Sequence, residues 1–215
     1  DLNLNGTEFT DNEATYGHGG GVYSYNNAAS QYTDAHFEDN YAYYYGGGVM
    51  SYHNRDQAEE YKGCNFEGNE AHYNGGGAIA AYYYTTVTIE NSAFVSNETA
   101  EGDGGAINGY YADLTVTSSS FSSNRAMSST GGAIYSYYSL GHNGDVELSN
   151  IEFSNNAAEY HGGAVASLWD HISISDSSFL VNDTESNGMG GALYISDAYS
   201  FSASRNKFLG NNAGY

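Results

Sequence analysis

The sequence has no proline, one cysteine, and only five Lys or Arg residues against 26 Asp or Glu. Without proline, no strand edge can be blocked by that residue. A single thiol, Cys64, rules out an internal disulfide. The net charge of −21 argues against nucleic-acid binding, because phosphate neutralisation needs clustered cations, and it disfavours adsorption to anionic membranes. Excess charge of one sign keeps molecules apart until salt screens it over about 10 Å, which suits a saline exterior. No apolar run approaches the roughly 20 residues of a membrane span, so no membrane insertion is expected. No segment repeats its apolar residues every 3.6 positions, so almost no helix is expected. The opening residues, Asp1-Leu2-Asn3-Leu4, form no signal peptide, and there is no initiator Met. The expectation is a chain given without its leader and flanks.

What the sequence does have is a repeat. Phe9, Phe37, Phe66, Phe94, Phe121, Phe153, Phe179 and Phe208 lie 28, 29, 28, 27, 32, 26 and 29 residues apart. Three residues after each comes an asparagine: Asn12, Asn40, Asn69, Asn97, Asn124, Asn156, Asn182 and Asn211. Two further on sits Ala or Thr. After a variable loop, seven of the eight units carry Gly-Gly-(Gly/Ala)-(Val/Ile/Leu), as in Gly131-Gly132-Ala133-Ile134. Before each Phe, pairs such as Val87/Ile89, Leu114/Val116 and Ile172/Ile174 alternate with period two, the pattern of a strand. Ser30/Tyr32 and Glu59/Tyr61 are poorer versions of it. Turn formers sit three residues before most of the phenylalanines, with Arg205 as the exception.

Each unit therefore reads as three short strands separated by turns: the alternating pair, the Phe-x-x-Asn-x-Ala stretch bent near its Asn, and the segment from Gly-Gly-Ala onward. A unit of about 28 residues cannot bury a face alone, but stacked units can, at about 4.8 Å per coil. The prediction is an all-β, parallel β-solenoid of about eight coils, a single domain over residues 1–215 and a rod about 35–40 Å long. Repeat positions then become columns. The phenylalanines stack in the core. The asparagines, which as buried amides must find partners, bond to one another up the stack. Cys64 occupies a small-residue position and reads as buried.

Tyrosine, with 23 copies, follows the same logic on the outside. Tyr25, Tyr52, Tyr82, Tyr110 and Tyr137 each lie three positions after the aliphatic residue of the Gly-Gly-Ala strand. Alternation turns them outward as an exposed aromatic stripe, of the kind that marks an interaction surface. More tyrosines gather in loops, at Tyr43-Tyr44-Tyr45, Tyr83-Tyr84, Tyr111 and Tyr138.

The paired signatures Phe94…Asn97 with Gly104-Gly105-Ala106-Ile107, and Phe153…Asn156 with Gly162-Gly163-Ala164-Val165, resemble the repeats of chlamydial polymorphic outer-membrane proteins and related surface-exposed β-helix proteins. The resemblance spans the chain. It implies a right-handed parallel β-helix exported to a cell surface, often adhesive or structural. The chain departs from those proteins in lacking a membrane β-barrel segment and in its tyrosine load.

Catalytic constellations are not apparent. Lyases and hydrolases on this scaffold need convergent carboxylates about 5–10 Å apart, or carboxylates with a metal and a base. Here Asp34, Glu38, Asp39, Glu59, Glu60, Glu101, Asp103, Asp113 and Asp170 are spread over loops, with few cations to assist them. His18 and His161 both precede Gly-Gly corners, but in coils one and six, too far apart to share an ion. No enzyme, metal or cofactor is expected. Of three glycosylation sequons, those at Asn97 and Asn182 place their Asn in the ladder, leaving Asn5, at a turn, as the candidate for an N-glycan.

The functional expectation is a structural module of an extracellular filament, appendage or surface coat. Its partners would be copies of itself stacked head to tail, because Leu2/Leu4 and Phe208/Asn211 carry the repeat almost to each end and leave no room for a cap. The alternative is a surface adhesin whose tyrosine stripe recognises glycans or other surface proteins.

Overall fold

At least four residues in every complete coil adopt a left-handed backbone, and four recurring ones divide the coil into four straight edges. In the fourth coil they are Asn91 (φ 51°), Ser96 (φ 53°), Gly104 (φ 68°) and Tyr111 (φ 55°). Between them run the strands Thr86–Glu90, Ala93–Val95, Glu98–Thr99 and Ile107–Tyr110. An isolated left-handed residue ends an extended run, because the chain leaves the β region there and re-enters it on a new heading. This computed structural model describes residues 2–26, 29–53, 58–138 and 145–214.

Stacking repeats that outline into four parallel sheets, three of eight strands and one of seven. The faces are numbered one to four in chain order. No helix occurs among the described residues. The count of four strands corrects the expected three. The residue just before each ladder asparagine is left-handed in all eight coils, from Asp11 through Val181 to Gly210, and it splits the Phe-x-x-Asn-x-Ala stretch between faces two and three. The turn three residues before each Phe is left-handed in all eight as well, Arg205 included.

Register places equivalent residues above one another. Phe66 pairs with Phe37 below and Phe94 above, and neighbouring rings lie 4.5–5.1 Å apart and close to parallel. From Phe37 to Phe179 the column is fully buried. The inward residues of face one, such as Val87, Ile89, Leu114 and Val116, and of face four, such as Ile79, Ile107 and Ile134, complete the core.

The asparagine column uses the whole hydrogen-bonding capacity of the amide. Asn124 Oδ1 accepts from Asn97 N and Asn97 Nδ2, both at 3.0 Å. Its Nδ2 donates to Asn156 Oδ1 at 2.9 Å and to the Phe94 carbonyl at 3.0 Å. The same pattern runs from Asn12 to Asn211. Asn97 and Asn182 are wholly buried, whereas Asn5 is exposed at the end of its strand. A second column, of hydroxyls, stands two residues before the phenylalanines. Cys64 N donates to Ser92 Oγ, and Ser92 N to Ser119 Oγ, each at 3.1 Å. Cys64 itself is buried, and burial pushes its thiol pKa up.

The two poorly alternating units still turn the expected positions inward, so polar groups enter the core there. Glu59 and Tyr61 are 1% exposed and Tyr32 is fully buried, its ring stacked on Tyr61 at 4.6 Å. Tyr61 donates to the Glu59 carboxylate at 2.9 Å, and Ser51 donates to it as well. Burial and the neighbouring carboxylate hold both phenols far above their ordinary pKa.

The corner leading into face four explains the paired glycines. A Cβ on Gly105 would lie 2.2 Å from the Gly132 carbonyl oxygen and 2.5 Å from Arg125 N, where no side chain can stand.

Candidate recognition face

Alternation along the four-residue strands of face four sends the first and third residues inward and the second and fourth outward. Two outer columns result. One reads Tyr23, Met50, Ala80, Asn108, Tyr135, Ala166 and Tyr194; the other reads Tyr25, Tyr52, Tyr82, Tyr110, Tyr137, Leu168 and Ser196. The five stripe tyrosines therefore share one column. A third column follows at the left-handed corner, with His53, Tyr83, Tyr111, Tyr138 and Trp169.

The stripe is not uniformly exposed, and it is not one stack. Tyr25 lies on Tyr52 at 5.7 Å, and Tyr82, Tyr110 and Tyr137 stack at 5.2 Å intervals. Between Tyr52 and Tyr82 the stacking breaks. Tyr52 instead meets Tyr83 edge-on at 5.3 Å (64°), and Tyr82 meets Tyr45, from the loop before the corner, at 4.7 Å (69°). Tyr82 is only 8% exposed, which corrects its expected place on an open surface. The short neighbour Ala80 lets the rings settle onto the sheet, where Met50, Ala80 and Tyr82 form a small apolar cluster outside the main core. Burial raises the pKa of Tyr82 and of Tyr45, the latter also through the nearby Tyr83 and Tyr52 phenols.

The break encloses a cavity of about 360 Å³ walled by Tyr45, Tyr52, Tyr82 and Tyr83, with Met50 and His18 at its sides. The His18 ring packs against Tyr45 at 5.2 Å, and burial lowers its pKa. A second cavity of about 330 Å³ shares Tyr45, Tyr82 and Tyr83 and adds the carboxylates of Glu101 and Asp103. Asp103 accepts from Ser129 Oγ and, at 3.2 Å, from Thr130 N. Burial raises its pKa, while these two bonds pull it back. Asn108, 2% exposed, lines this cavity and donates to the Asn74 carbonyl at 2.9 Å.

Sequence reasoning placed Tyr45 and Tyr83 in loops without seeing that they close over the stripe. The available signal was the doubled aromatic Tyr82-Tyr83, in which one ring must follow the outer column and the other must turn the corner. Of the dispersed acids, Asp170 is buried and accepts from Ser167 at 2.7 Å, a structural role. His161 stacks on Tyr194 at 4.5 Å, far along the rod from His18. Among the described residues, no three His, Cys, Asp or Glu side chains come together as a metal site.

The model of the right-handed β-helix region matches residues 2–179. The chain belongs to that family. No curated protein and no solved structure matches it. Right-handed β-helix regions occur in enzymes, pectate lyases and hydrolases among them, and in proteins without catalytic activity. In this β-helix, the tyrosine-walled part of face four departs from a plain repeat, because the ring stack breaks between Tyr52 and Tyr82.

Proposed function

We propose that this β-helix is a non-catalytic recognition module of an extracellular surface, with face four as its binding surface. The observation that carries the reading is the pair of adjoining cavities on that face, both walled by tyrosine rings and the second also lined by the carboxylates of Glu101 and Asp103. Large aromatic surfaces open to solvent mark interaction sites, and concave, mostly apolar sites with a few polar groups are where ligands bind. The likeness of its repeats to those of chlamydial polymorphic outer-membrane proteins supports placement at a cell surface, and the −21 charge is compatible with a saline exterior.

End-to-end stacking into a filament is the other reading of the sequence, and it rests on the end coils alone. Phe201, Phe208 and Leu209 are about half exposed in the last described coil. Any solenoid exposes such residues wherever its coils end, so their exposure does not favour that reading.

The test is binding of purified protein to a panel of surface glycans and short peptides, with a Tyr52→Ser/Tyr83→Ser/Tyr110→Ser variant, which removes wall rings of both cavities, alongside. Binding that the variant loses while keeping its β-sheet circular dichroism is the expected result. A wild type that binds nothing, or a variant that binds equally, would refute it. No release of reducing or unsaturated ends from pectate or alginate is expected; sustained release abolished by Asp103→Asn would establish an enzyme.

A further inference from the structure

Resting on that reading, we infer that the Tyr45–Tyr52–Tyr82–Tyr83 cavity is an aromatic cage for a weakly hydrated organic cation, a trimethylammonium or guanidinium group. The geometry separates this ligand from a sugar. A sugar ring needs a flat ring face open to solvent. Here Tyr45 stands at 69° to Tyr82, Tyr52 at 64° to Tyr83, and Tyr82 at 63° to Tyr83, so rings bound one volume from several sides. Ring faces carry negative potential, and enclosure by several of them is the arrangement that holds quaternary ammonium groups. Met50 supplies a polarisable side wall for methyl groups.

Electrostatics point the same way. Among the described residues, neither cavity is lined by Lys or Arg. The one basic ring, His18, is held toward its neutral form by burial, so it does not oppose a cation near neutral pH. Among the described residues, the adjoining cavity offers tyrosines, Gly102, two asparagines and the carboxylates of Glu101 and Asp103, which suits a ligand that is positive over more than one group. The excess of 21 negative charges raises the local concentration of cations before any contact is made. About 360 Å³ is near the lower limit for small-molecule sites and matches a compact head group.

The experiment is isothermal titration of the whole chain with three probes. Choline stands for a free quaternary ammonium compound, an arginine-containing tripeptide for a side chain of a protein partner, and 3,3-dimethylbutan-1-ol is the neutral isostere of choline. At least one cation should bind at least tenfold more tightly than the isostere. Tyr45→Leu and, separately, Tyr52→Leu keep an apolar wall while removing a ring face, and each should weaken that binding at least tenfold. Thermal melts identify a variant that fails to fold, in which case the other decides. Tighter choline binding assigns the cage to a free ligand, and tighter peptide binding assigns it to a partner's side chain. Equal binding of the isostere, no cation binding, or unchanged binding by both leucine variants overturns the cage. Tyrosine-dependent binding of a neutral glycan would overturn the cage but leave the recognition reading standing; failure of every ligand would remove both.

Discussion

Val181 is the only β-branched residue in a left-handed conformation among the described residues, with φ of 54°, and its side chain is 56% exposed. The left-handed region costs an L-residue roughly 1–2 kcal/mol, whereas glycine enters it freely. Gly68 and Gly210 already hold this corner in other coils. Val181→Gly should therefore stabilise the protein by about 1 kcal/mol in urea unfolding, the greater chain entropy of glycine offsetting part of the gain. Core columns should respond in the opposite direction. Phe121→Ala leaves a cavity between two stacked rings and should cost about 3–5 kcal/mol. Asn124→Ala removes the acceptor of the Asn97 backbone N–H and side-chain amide, and the side-chain donor to Asn156 Oδ1 and the Phe94 carbonyl, and should cost about 1–3 kcal/mol. Urea melts of either variant within ~0.5 kcal/mol of wild type would contradict the ladder energetics. Asp103 sets a pH dependence. Its folded-state pKa is raised from 3.8 by burial, so the folded state binds its proton more tightly than the unfolded chain does. Stability should fall as pH rises from the unfolded value through the raised one. The difference between wild type and Asp103→Asn, followed by thermal melts across that window, should show this loss in wild type alone.

At the scale of elements, the corner before face four is the least tolerant part of each coil. Gly105→Ala would press a methyl group against backbone of the coil above, at Arg125 and Gly132, so face four should lose order in coils four and five first. Hydrogen exchange should show faster exchange at Ile107 and Ile134 than at Phe94; uniform protection would count against a corner-specific effect. How much of these elements the sequence disclosed follows from the period of the repeat. Columns are legible because a residue type recurring every 28 or so positions points to stacking, and Phe, Asn and Gly-Gly recur without exception in their units. The fourth strand was not legible, because the corner before each asparagine is occupied by Asp, Gly, Ser, Asn or Val, which share a conformation but no single chemistry. The hydrogen-bonded cluster around Glu59 was hidden for a different reason. The Glu59 partners Ser51 and Tyr61 lie on another strand and two residues along its own, so the buried polar cluster has no mark in the alternation itself. The cavity on face four was invisible too, since it depends on Tyr45 closing over a break in the stripe rather than on any repeated position.

For the whole molecule, strand pairing joins each coil only to the coils above and below it, and the register from Phe9 to Phe208 never slips. The rod is thus graduated like a ruler, with one turn of chain as its smallest division. Excising residues 94–120 would join Ala93 to Phe121, residues that already occupy successive positions of the template, and would bring Asn69 under Asn124, replacing Asn97, 27 residues before it. Such a shortened chain should fold, and its urea m-value should drop in proportion to the surface one turn buries. Removing twenty residues from the same place should give an aggregating or unfolded product, because every column above the cut would face the wrong partner. Length in this protein is a quantity that changes by whole turns, so a lineage could lengthen or shorten the rod by duplication or loss of a turn, and a change beyond the coils that line the tyrosine-walled cavities would leave those cavities intact.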